Sequence, residues 1–265
     1  MANTGAMRLV RLLTASVALA TGLSLAAGSP VLSGDWLLAF DQDPGRATQK
    51  CSQPTKIVLV RHGQTHWNVL GLLQGNADIP LDPTGSAQAQ ATATAMATKI
   101  VAAIYASPLL RAHETALAIA APHGLPVRKR DDLREIGVGV YTGSQPSQIP
   151  SATRAAWAAD PDLALPSGIP EATALRDPSY VQGRSFEGES LKAVLDRGWR
   201  ELLELARGHC GGNVVVVTHG GVIQITLTRV KGLPVTQYRT FTVANASQTI
   251  LLFHPDGSVA LLSDW

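Results

Sequence analysis

Two short runs of branched apolar residues place the strongest constraint on how this chain can fold. Residues 57–60 and 214–217 have no polar residue at alternate positions. Uninterrupted runs of this kind are typical of parallel strands that are buried on both faces, because a strand with one face in water alternates apolar and polar residues. Parallel strands need helices to connect and cover them. The two runs therefore predict a layered α/β domain.

The segments between and after these runs carry helical and extended patterns in turn. Ser190 is a candidate helix N-cap, since apolar residues recur at helical spacing after it. The other predicted elements are a helix from Asp82 to about Lys99, a strand over residues 100–105, a helix over residues 109–121, and a C-terminal hairpin of residues 249–253 and 259–262. Strands that alternate with helices favour a three-layer α/β/α sandwich around a mostly parallel central sheet.

One long segment, residues 141–188, follows no such pattern and is interrupted by several prolines. A segment of this length without periodicity in a compact domain is usually a lid or a binding loop, or it is disordered. We expect this segment to shape the selectivity of the site that it borders.

The N-terminal residues have the pattern of a targeting segment. Arg8 and Arg11 precede an uncharged run whose apolar part covers residues 12–25, and small residues follow it. This order is typical of a secretory signal peptide. The predicted parts of the chain are a signal peptide over residues 1–27, a linker or loosely docked arm over residues 28–55, and a globular domain over residues 56–265. We therefore expect an exported protein, periplasmic or secreted, with an uncleaved membrane anchor as the alternative.

Composition and charge exclude several classes of protein. Apolar residues make up 45% of the chain and charged residues 16%, which rules out a disordered chain. The 22 Lys and Arg residues face 20 Asp and Glu residues, and no block of like charge occurs. Nucleic acid and acidic membrane surfaces are therefore not expected partners. The two cysteines are too few for a disulfide scaffold or a four-thiolate zinc site, but they can form one bridge.

Each of the two apolar runs ends close to a histidine that a glycine follows. The first run continues as Arg61-His62-Gly63, and the second as Thr218-His219-Gly220. If both strands are parallel, both imidazoles emerge at the carboxyl edge of the sheet, where ligands of such sheets bind. A helix that opens after each glycine would offer free N–H groups to an anion. The two histidines and the arginine thus outline a phosphate site.

Residues 61–68 read Arg-His-Gly-Gln-Thr-His-Trp-Asn. This string resembles the opening signature of the histidine phosphatase superfamily, in its phosphoglycerate-mutase-like branch. Four further segments resemble other motifs of the family: residues 107–116, 133–137, 188–191 and 217–221. The resemblance extends from about Lys56 to the C-terminus and implies a phosphoglycerate-mutase-like fold.

The resemblance also implies a role for each residue of the motifs. His62 would be the nucleophile that accepts the phosphoryl group, kept unprotonated because Arg61 and Arg111 disfavour another cation beside them. Together with His219, these two arginines would neutralise the phosphoryl oxygens in the transition state. Glu135 would protonate the leaving oxygen and afterwards activate water.

Four other residues fall where members of the family contact the substrate or lie beside the phosphate: Asn68, Gln74, Gly75 and Gly220. No metal or other cofactor is expected. His66 follows His62 at a spacing that zinc pairs use, but the sequence supplies no further ligand, and Arg61 would repel a metal ion.

Departures from the family's patterns favour hydrolysis of a small phosphate ester. The acid phosphatase branch has an aspartate directly after its second histidine, where this chain has Gly220. Mutases have an asparagine where this chain has Gly221 and a tyrosine where it has Val138, and their paired arginines have no counterpart in residues 141–188. The resemblance therefore implies a phosphomonoesterase. The alternatives are mutase-type phosphoryl transfer and a catalytically inactive phosphate-binding protein.

Cys51 and Cys210 each precede one of the two buried runs by a few residues. Strands that deliver His62 and His219 to one pocket are expected to be parallel neighbours, so both cysteines would lie near the opposite edge of the sheet. We predict a disulfide between them, which an oxidising compartment would preserve. Two unrelated thiols are the alternative.

Overall fold

The computed structural model describes residues 51–171 and 177–265. The predicted signal peptide and most of the predicted arm lie outside these residues. The described strands are β1 (Thr55–Arg61), β2 (Ala103–Ala106), β3 (Val127–Lys129), β4 (Asn213–Thr218), β5 (Gln248–Phe253) and β6 (Val259–Leu262). The described α-helices are α1 (His66–Leu70), α2 (Pro83–Met96), α3 (Leu110–Ala120), α4 (Ser151–Ala159), α5 (Leu191–Gly208) and α6 (Gly220–Val230).

The six strands form one sheet in the order β3-β2-β4-β1-β5-β6. The pairs β3-β2, β2-β4 and β4-β1 are parallel, whereas β5 and β6 form the antiparallel hairpin at the other edge. The central pair β1 and β4 are neighbours in register, with Arg61 opposite Thr218. Their carboxyl ends therefore bring the following residues, His62 and His219, to one edge of the sheet.

Both faces of the central strands are covered. Alternate residues of β1 and β4, such as Leu59 and Val216, pack into a core with residues of α5 and α6. The intervening residues, such as Val58 and Val217, pack against α2 and α3. All eight residues of the two apolar runs are at most 1% exposed, which explains why neither run contains a polar residue. The predicted three-layer sandwich is confirmed.

Element boundaries differ from the prediction at several points. The first predicted helix ends at Met96 rather than Lys99. The strand predicted over residues 100–105 begins only at Ala103, where pairing with β4 starts, and Ile100 is 83% exposed. Apolar character alone thus misplaced the strand start, because it does not show which residues reach a partner strand.

The long unpatterned segment contains more structure than its sequence indicates. It includes helix α4, whose Trp157 is buried and donates from Nε1 to the carbonyl of Glu189. Isolated bridges pair Gly168 with Phe186 and Val138 with Gly188. The described parts of this segment are therefore packed onto the domain next to the carboxyl edge of the sheet.

The predicted disulfide is present. Cys51 and Cys210 are bonded, with their Cα atoms 5.2 Å apart, just before the amino ends of β1 and β4. Within the part of the chain that the structure describes, no helix is both long and apolar enough to span a membrane.

Candidate active site

His62 lies immediately after β1 and is 2% exposed. Its Nδ1 is 2.7 Å from the carbonyl oxygen of Gly63. Because a carbonyl oxygen can only accept, Nδ1 of the neutral imidazole must carry the proton and donate it in this hydrogen bond. The other ring nitrogen, Nε2, is left with its lone pair available for attack.

Burial and charge both keep His62 neutral. Burial lowers the pKa of His62 well below its ordinary value of 6.5, and the positive charges of Arg111 and Arg61 lower it further. The sequence had indicated only the two arginines as a cause. Burial is the larger effect, since a buried imidazolium loses its hydration.

This environment predicts that His62 resists protonation in mildly acidic solution. A histidine becomes protonated as the pH falls through its pKa, and the pKa of His62 lies well below 6.5. In ¹⁵N NMR of histidine-labelled enzyme, His62 should remain the neutral Nδ1-protonated tautomer when the pH falls from about 7.5 to 5.5. Arg61→Met should move the titration upward, because it removes a positive charge. Titration of His62 near 6.5 in the unmodified enzyme would contradict this prediction.

The carbonyl that orients His62 is itself held in place. The N–H of Gly63 donates to Oγ1 of Thr115, and that hydroxyl donates to the carbonyl of Arg111. A Cβ at Gly63 would lie 2.4 Å from the carbonyl oxygen of Gly85, so no larger residue fits. Thr115 therefore links the loop that follows His62 to the helix that carries Arg111.

Arg111 is the most completely buried charged residue of the site, at 0% exposure. Its Nη1 and Nη2 donate to the carbonyls of Ala77 and Gly75, at 2.7 and 2.8 Å. Burial lowers the pKa of Arg111 to about 10, while Glu135 and Asp78 act in the opposite direction. The guanidinium is thus still charged at neutral pH.

Arg61 and His219 complete the set of basic groups. Arg61 donates from Nη1 to the carbonyl of Val243. The ring of His219 lies 5.2 Å from that of His62, centroid to centroid, and its Nε2 shares a hydrogen bond of 2.8 Å with Oγ of Ser107. Burial, followed by Arg111 and His62, lowers the pKa of His219 well below 6.5, so this ring is neutral too.

Three buried nitrogen atoms of these residues have no hydrogen-bond partner among the described residues. They are Nε of Arg61, Nε of Arg111 and Nδ1 of His219. Unpaired buried polar atoms are rare and costly, so they call for an explanation. A ligand with several acceptor oxygens would satisfy them.

Glu135 lies beside this cluster, on a loop after β3. Its Oε1 accepts from the N–H of Ile136 at 2.9 Å, and its Oε2 accepts from the N–H of Gly221 at 3.3 Å. The carboxylate opposes the lowering of the pKa of both Arg61 and Arg111. All five predicted catalytic residues are therefore brought together at the carboxyl edge of the sheet.

Asn68, predicted to contact the substrate, is largely engaged by other protein groups. Its Oδ1 accepts from the N–H and hydroxyl of Thr65 in a capping box of α1, and from Nδ2 of Asn245. Only the Nδ2 group of Asn68 is thus left for a substrate. Asn245 itself also donates to the carbonyl of His62 at 3.1 Å, a contact that nothing in the sequence indicated.

The other three residues predicted to contact the substrate lie close to the arginines. The carbonyl of Gly75 holds Arg111, and the φ angle of +47° at Gly75 favours glycine there. Gln74 is buried, and its Oε1 has no partner among the described residues. Gly220 begins α6, and a Cβ at this position would lie 3.3 Å from Nε of Arg61.

Sequence reasoning assigned no role to the hydroxyls of Ser107 and Thr115, although both residues belong to a recognised motif segment. The sequence signal that could have identified them is the presence of two hydroxyl residues in a segment, residues 103–120, that is otherwise rich in apolar residues. In the described ranges, 51–171 and 177–265, no group of three or more His, Cys, Asp or Glu residues is arranged to hold a metal ion.

A mostly parallel sheet whose carboxyl edge gathers two histidines, two arginines and a carboxylate is the arrangement of a phosphoglycerate-mutase-like phosphatase. The model of the histidine phosphatase superfamily (branch 1) matches residues 57–264, and the chain belongs to that superfamily.

Named relatives and solved structures agree with this assignment. The metal-independent phosphoserine phosphatase of Arabidopsis thaliana is 35% identical over 185 residues, which cover 68% of this chain and 70% of the relative. The glucosyl-3-phosphoglycerate phosphatase of Mycolicibacterium vanbaalenii is 32% identical over 222 residues, covering 79% and 90%. A solved mycobacterial glucosyl-3-phosphoglycerate phosphatase with VO3 superposes with a TM-score of 0.63 at 30% identity, covering 79% of this chain and 98% of that chain. The predicted family, fold and phosphatase activity are confirmed.

Proposed function

We propose that this phosphatase hydrolyses a small phosphate ester through a covalent phosphohistidine at His62. The observation that carries the proposal is the set of three unpartnered buried nitrogen atoms, on Arg61, Arg111 and His219, beside a neutral His62. Phosphoryl oxygens are acceptors that suit such a set. The two guanidinium charges neutralise the dianion, and a neutral imidazole attacks it without adding charge repulsion.

Two steps follow from this geometry. In the first, the lone pair on Nε2 of His62 forms the N–P bond while the ester P–O bond breaks, and Glu135 gives its proton to the leaving oxygen. In the second, the carboxylate of Glu135 takes a proton from water as the water oxygen attacks phosphorus. The N–P bond then breaks, and inorganic phosphate and neutral His62 are released.

Hydrolysis is favoured over mutase-type transfer by the space around Gly221. A Cβ at Gly221 would lie 2.6 Å from Oε1 of Glu135 and 2.6 Å from Cδ1 of Ile136. The asparagine that mutases have at this point would therefore require the side chains of Glu135 and Ile136 to move from their present positions. Without it and the paired arginines, the product alcohol is not retained for a return transfer.

The inactive phosphate-binding protein is disfavoured by the placement of Glu135. A protein that only binds phosphate gains nothing from a carboxylate near the anion, since the two negative charges repel each other. Here the N–H groups of Ile136 and Gly221 hold the carboxylate beside the arginines.

The substrate class proposed is a small phosphomonoester. Relatives carry the names phosphoserine phosphatase and glucosyl-3-phosphoglycerate phosphatase, so phosphoserine and phosphoglycerate esters lead the panel of compounds to assay. We also propose export, with residues 1–27 as the signal peptide and residues 28–55 as an arm before the catalytic domain. The Cys51–Cys210 disulfide supports an oxidising compartment. Mass spectrometry of the N-terminal peptide of the mature protein would distinguish a cleaved signal peptide from an uncleaved membrane anchor.

Glu135→Gln tests the proposed proton donor. The kcat/KM of alkyl phosphates such as phosphoserine, which reports the first step, should fall roughly 10²–10⁴-fold, the usual contribution of general acid catalysis. The kcat/KM of p-nitrophenyl phosphate, whose leaving group needs no proton, should fall much less. The kcat of both esters should fall, because the second step also uses Glu135. The inhibition constant of inorganic phosphate should change little, because the arginines remain.

The matched control is Glu187→Gln, which neutralises an exposed carboxylate of the neighbouring segment. Its kinetic constants should equal those of the unmodified enzyme. An equal loss of kcat/KM for both kinds of leaving group in Glu135→Gln would count against Glu135 as the acid.

A further inference from the structure

The loop that carries Glu135 has little regular secondary structure, and its carbonyl groups converge on one side chain. Arg197, on α5, donates from Nη1 to the carbonyls of Asp132 and Arg134, at 2.7 and 2.8 Å. It also donates from Nη2 to the carbonyl of Glu135 itself, at 3.0 Å. A single guanidinium therefore holds the backbone on both sides of the proposed proton donor.

Glu189, which lies shortly before α5, contacts both Arg197 and the C-terminal end of this loop. Its Oε1 accepts from Nε of Arg197 at 2.7 Å, and its Oε2 accepts from Nη2 at 2.9 Å. The same Oε2 accepts from the N–H of Gly137 at 2.7 Å. Glu189 thus orients the guanidinium in a two-bond contact and holds the residue two positions after Glu135.

The hydrogen bonding of Arg197 is saturated. A guanidinium has five N–H donors in a fixed plane, and five acceptor contacts surround this one: three carbonyl oxygens and two carboxylate oxygens. The side chain is 13% exposed, so these charge-assisted bonds are partly shielded from water. An ammonium group has three donors and cannot reproduce this plane.

We propose that the Arg197–Glu189 pair is a positioning device for the proton donor, which sets the carboxylate of Glu135 against the first turn of α6. Neither side chain donates to or accepts from the side chain of Glu135, so the pair acts through the backbone of residues 132–137. The proposal rests on the assignment of Glu135 as the acid and base of the proposed reaction.

Positioning has a kinetic signature that loss of general stability does not have. A carboxylate displaced by about 1 Å can lose roughly 10²-fold in rate. In the first step this loss falls only on esters whose leaving group needs a proton, whereas the second step is common to all esters. In Arg197→Met, kcat/KM for phosphoserine, which reports the first step, should fall roughly 10²-fold. The kcat/KM for p-nitrophenyl phosphate and the inhibition constant of inorganic phosphate should change much less. Glu189→Gln should give a smaller loss with the same selectivity.

The matched control is Arg200→Met. Arg200 lies one turn further along α5 and donates to the side chain of Asp132, so it reaches the same loop without touching the backbone around Glu135. This variant should have the kinetics of the unmodified enzyme. Arg197→Lys keeps the positive charge but loses the planar set of five N–H donors, so it should still show the selective loss. If Arg197→Met fails to fold, Arg197→Lys serves as the test.

The double variant Arg197→Met/Glu135→Gln separates this proposal from the proposed function. If the pair acts through Glu135, the double variant should be no slower on phosphoserine than Glu135→Gln alone. Additive losses, or an equal loss of kcat/KM for both leaving groups in Arg197→Met and Arg197→Lys, would overturn the positioning role while leaving Glu135 as the acid. If Glu135→Gln itself shows no selectivity, the acid assignment and this proposal fail together.

Discussion

His62→Ala should lose turnover on the order of 10⁶-fold, the cost of removing the nucleophile from an enzyme with a covalent intermediate. The loss should be similar for alkyl and p-nitrophenyl esters, because the first step cannot form its N–P bond with either. Binding of inorganic phosphate should persist, since Arg61, Arg111 and His219 keep their buried nitrogen atoms. Phosphate release and isothermal titration of phosphate measure the two effects separately.

The proposed covalent intermediate can be detected by labelling. Rapid quenching at alkaline pH, where phosphohistidine survives, should trap ³²P from the substrate on His62 in the unmodified enzyme and on no residue in His62→Ala. The matched control is His66→Ala, which removes an exposed imidazole four residues further on and should keep both activity and label. Activity that disappears in chelator and returns with a divalent ion would contradict this mechanism.

The sequence was sufficient to predict the centre of the fold. Residues 57–60 and 214–217 are buried on both faces by helices of the two outer layers, and that environment leaves a direct trace in composition. Strand β3 leaves no such trace in the sequence, because it lies at the edge of the sheet and two of its three residues are exposed. Helix α4 was missed because its burial depends on Trp157 alone, too little to produce a helical period.

The sequence predicted the groups proposed to touch substrate, which the structure brings to one edge of the sheet, but it did not predict the groups that hold them. His62, Arg111 and Glu135 belong to local strings with a recognisable order. The contact of Asn245 with His62 spans 183 positions, and that of Arg197 with Glu135 spans 62. Such contacts depend on how segments distant in the sequence pack against each other in the fold. A single sequence carries no local signal of this packing. The sequence does not show that His62 is buried. It therefore could not show that burial lowers the pKa of His62 more than the two arginines do.

Removing the disulfide should cause the largest change in stability. The bridge joins residues separated by 159 positions, and chain entropy puts its stabilisation at about 5 kcal/mol, an upper bound because bridges usually deliver less. In Cys51→Ser/Cys210→Ser, the free energy of unfolding should fall by up to that amount. The melting temperature should fall by roughly 10–20 °C at most, at about 2–4 °C per kcal/mol for a domain of this size.

The mechanism of this loss is expected to lie in the unfolded chain. In the folded enzyme, other contacts fix the same edge: the Thr55 hydroxyl donates to the Ala206 carbonyl at 2.8 Å, and the N–H of Lys56 donates to the carbonyl of Gly212. The native site, at the far edge of the sheet, should therefore keep its kcat at 25 °C. Urea denaturation should show a larger m-value for the double variant, because its unfolded chain exposes more surface. Unchanged stability, or an m-value that does not rise, would contradict an effect through the unfolded state.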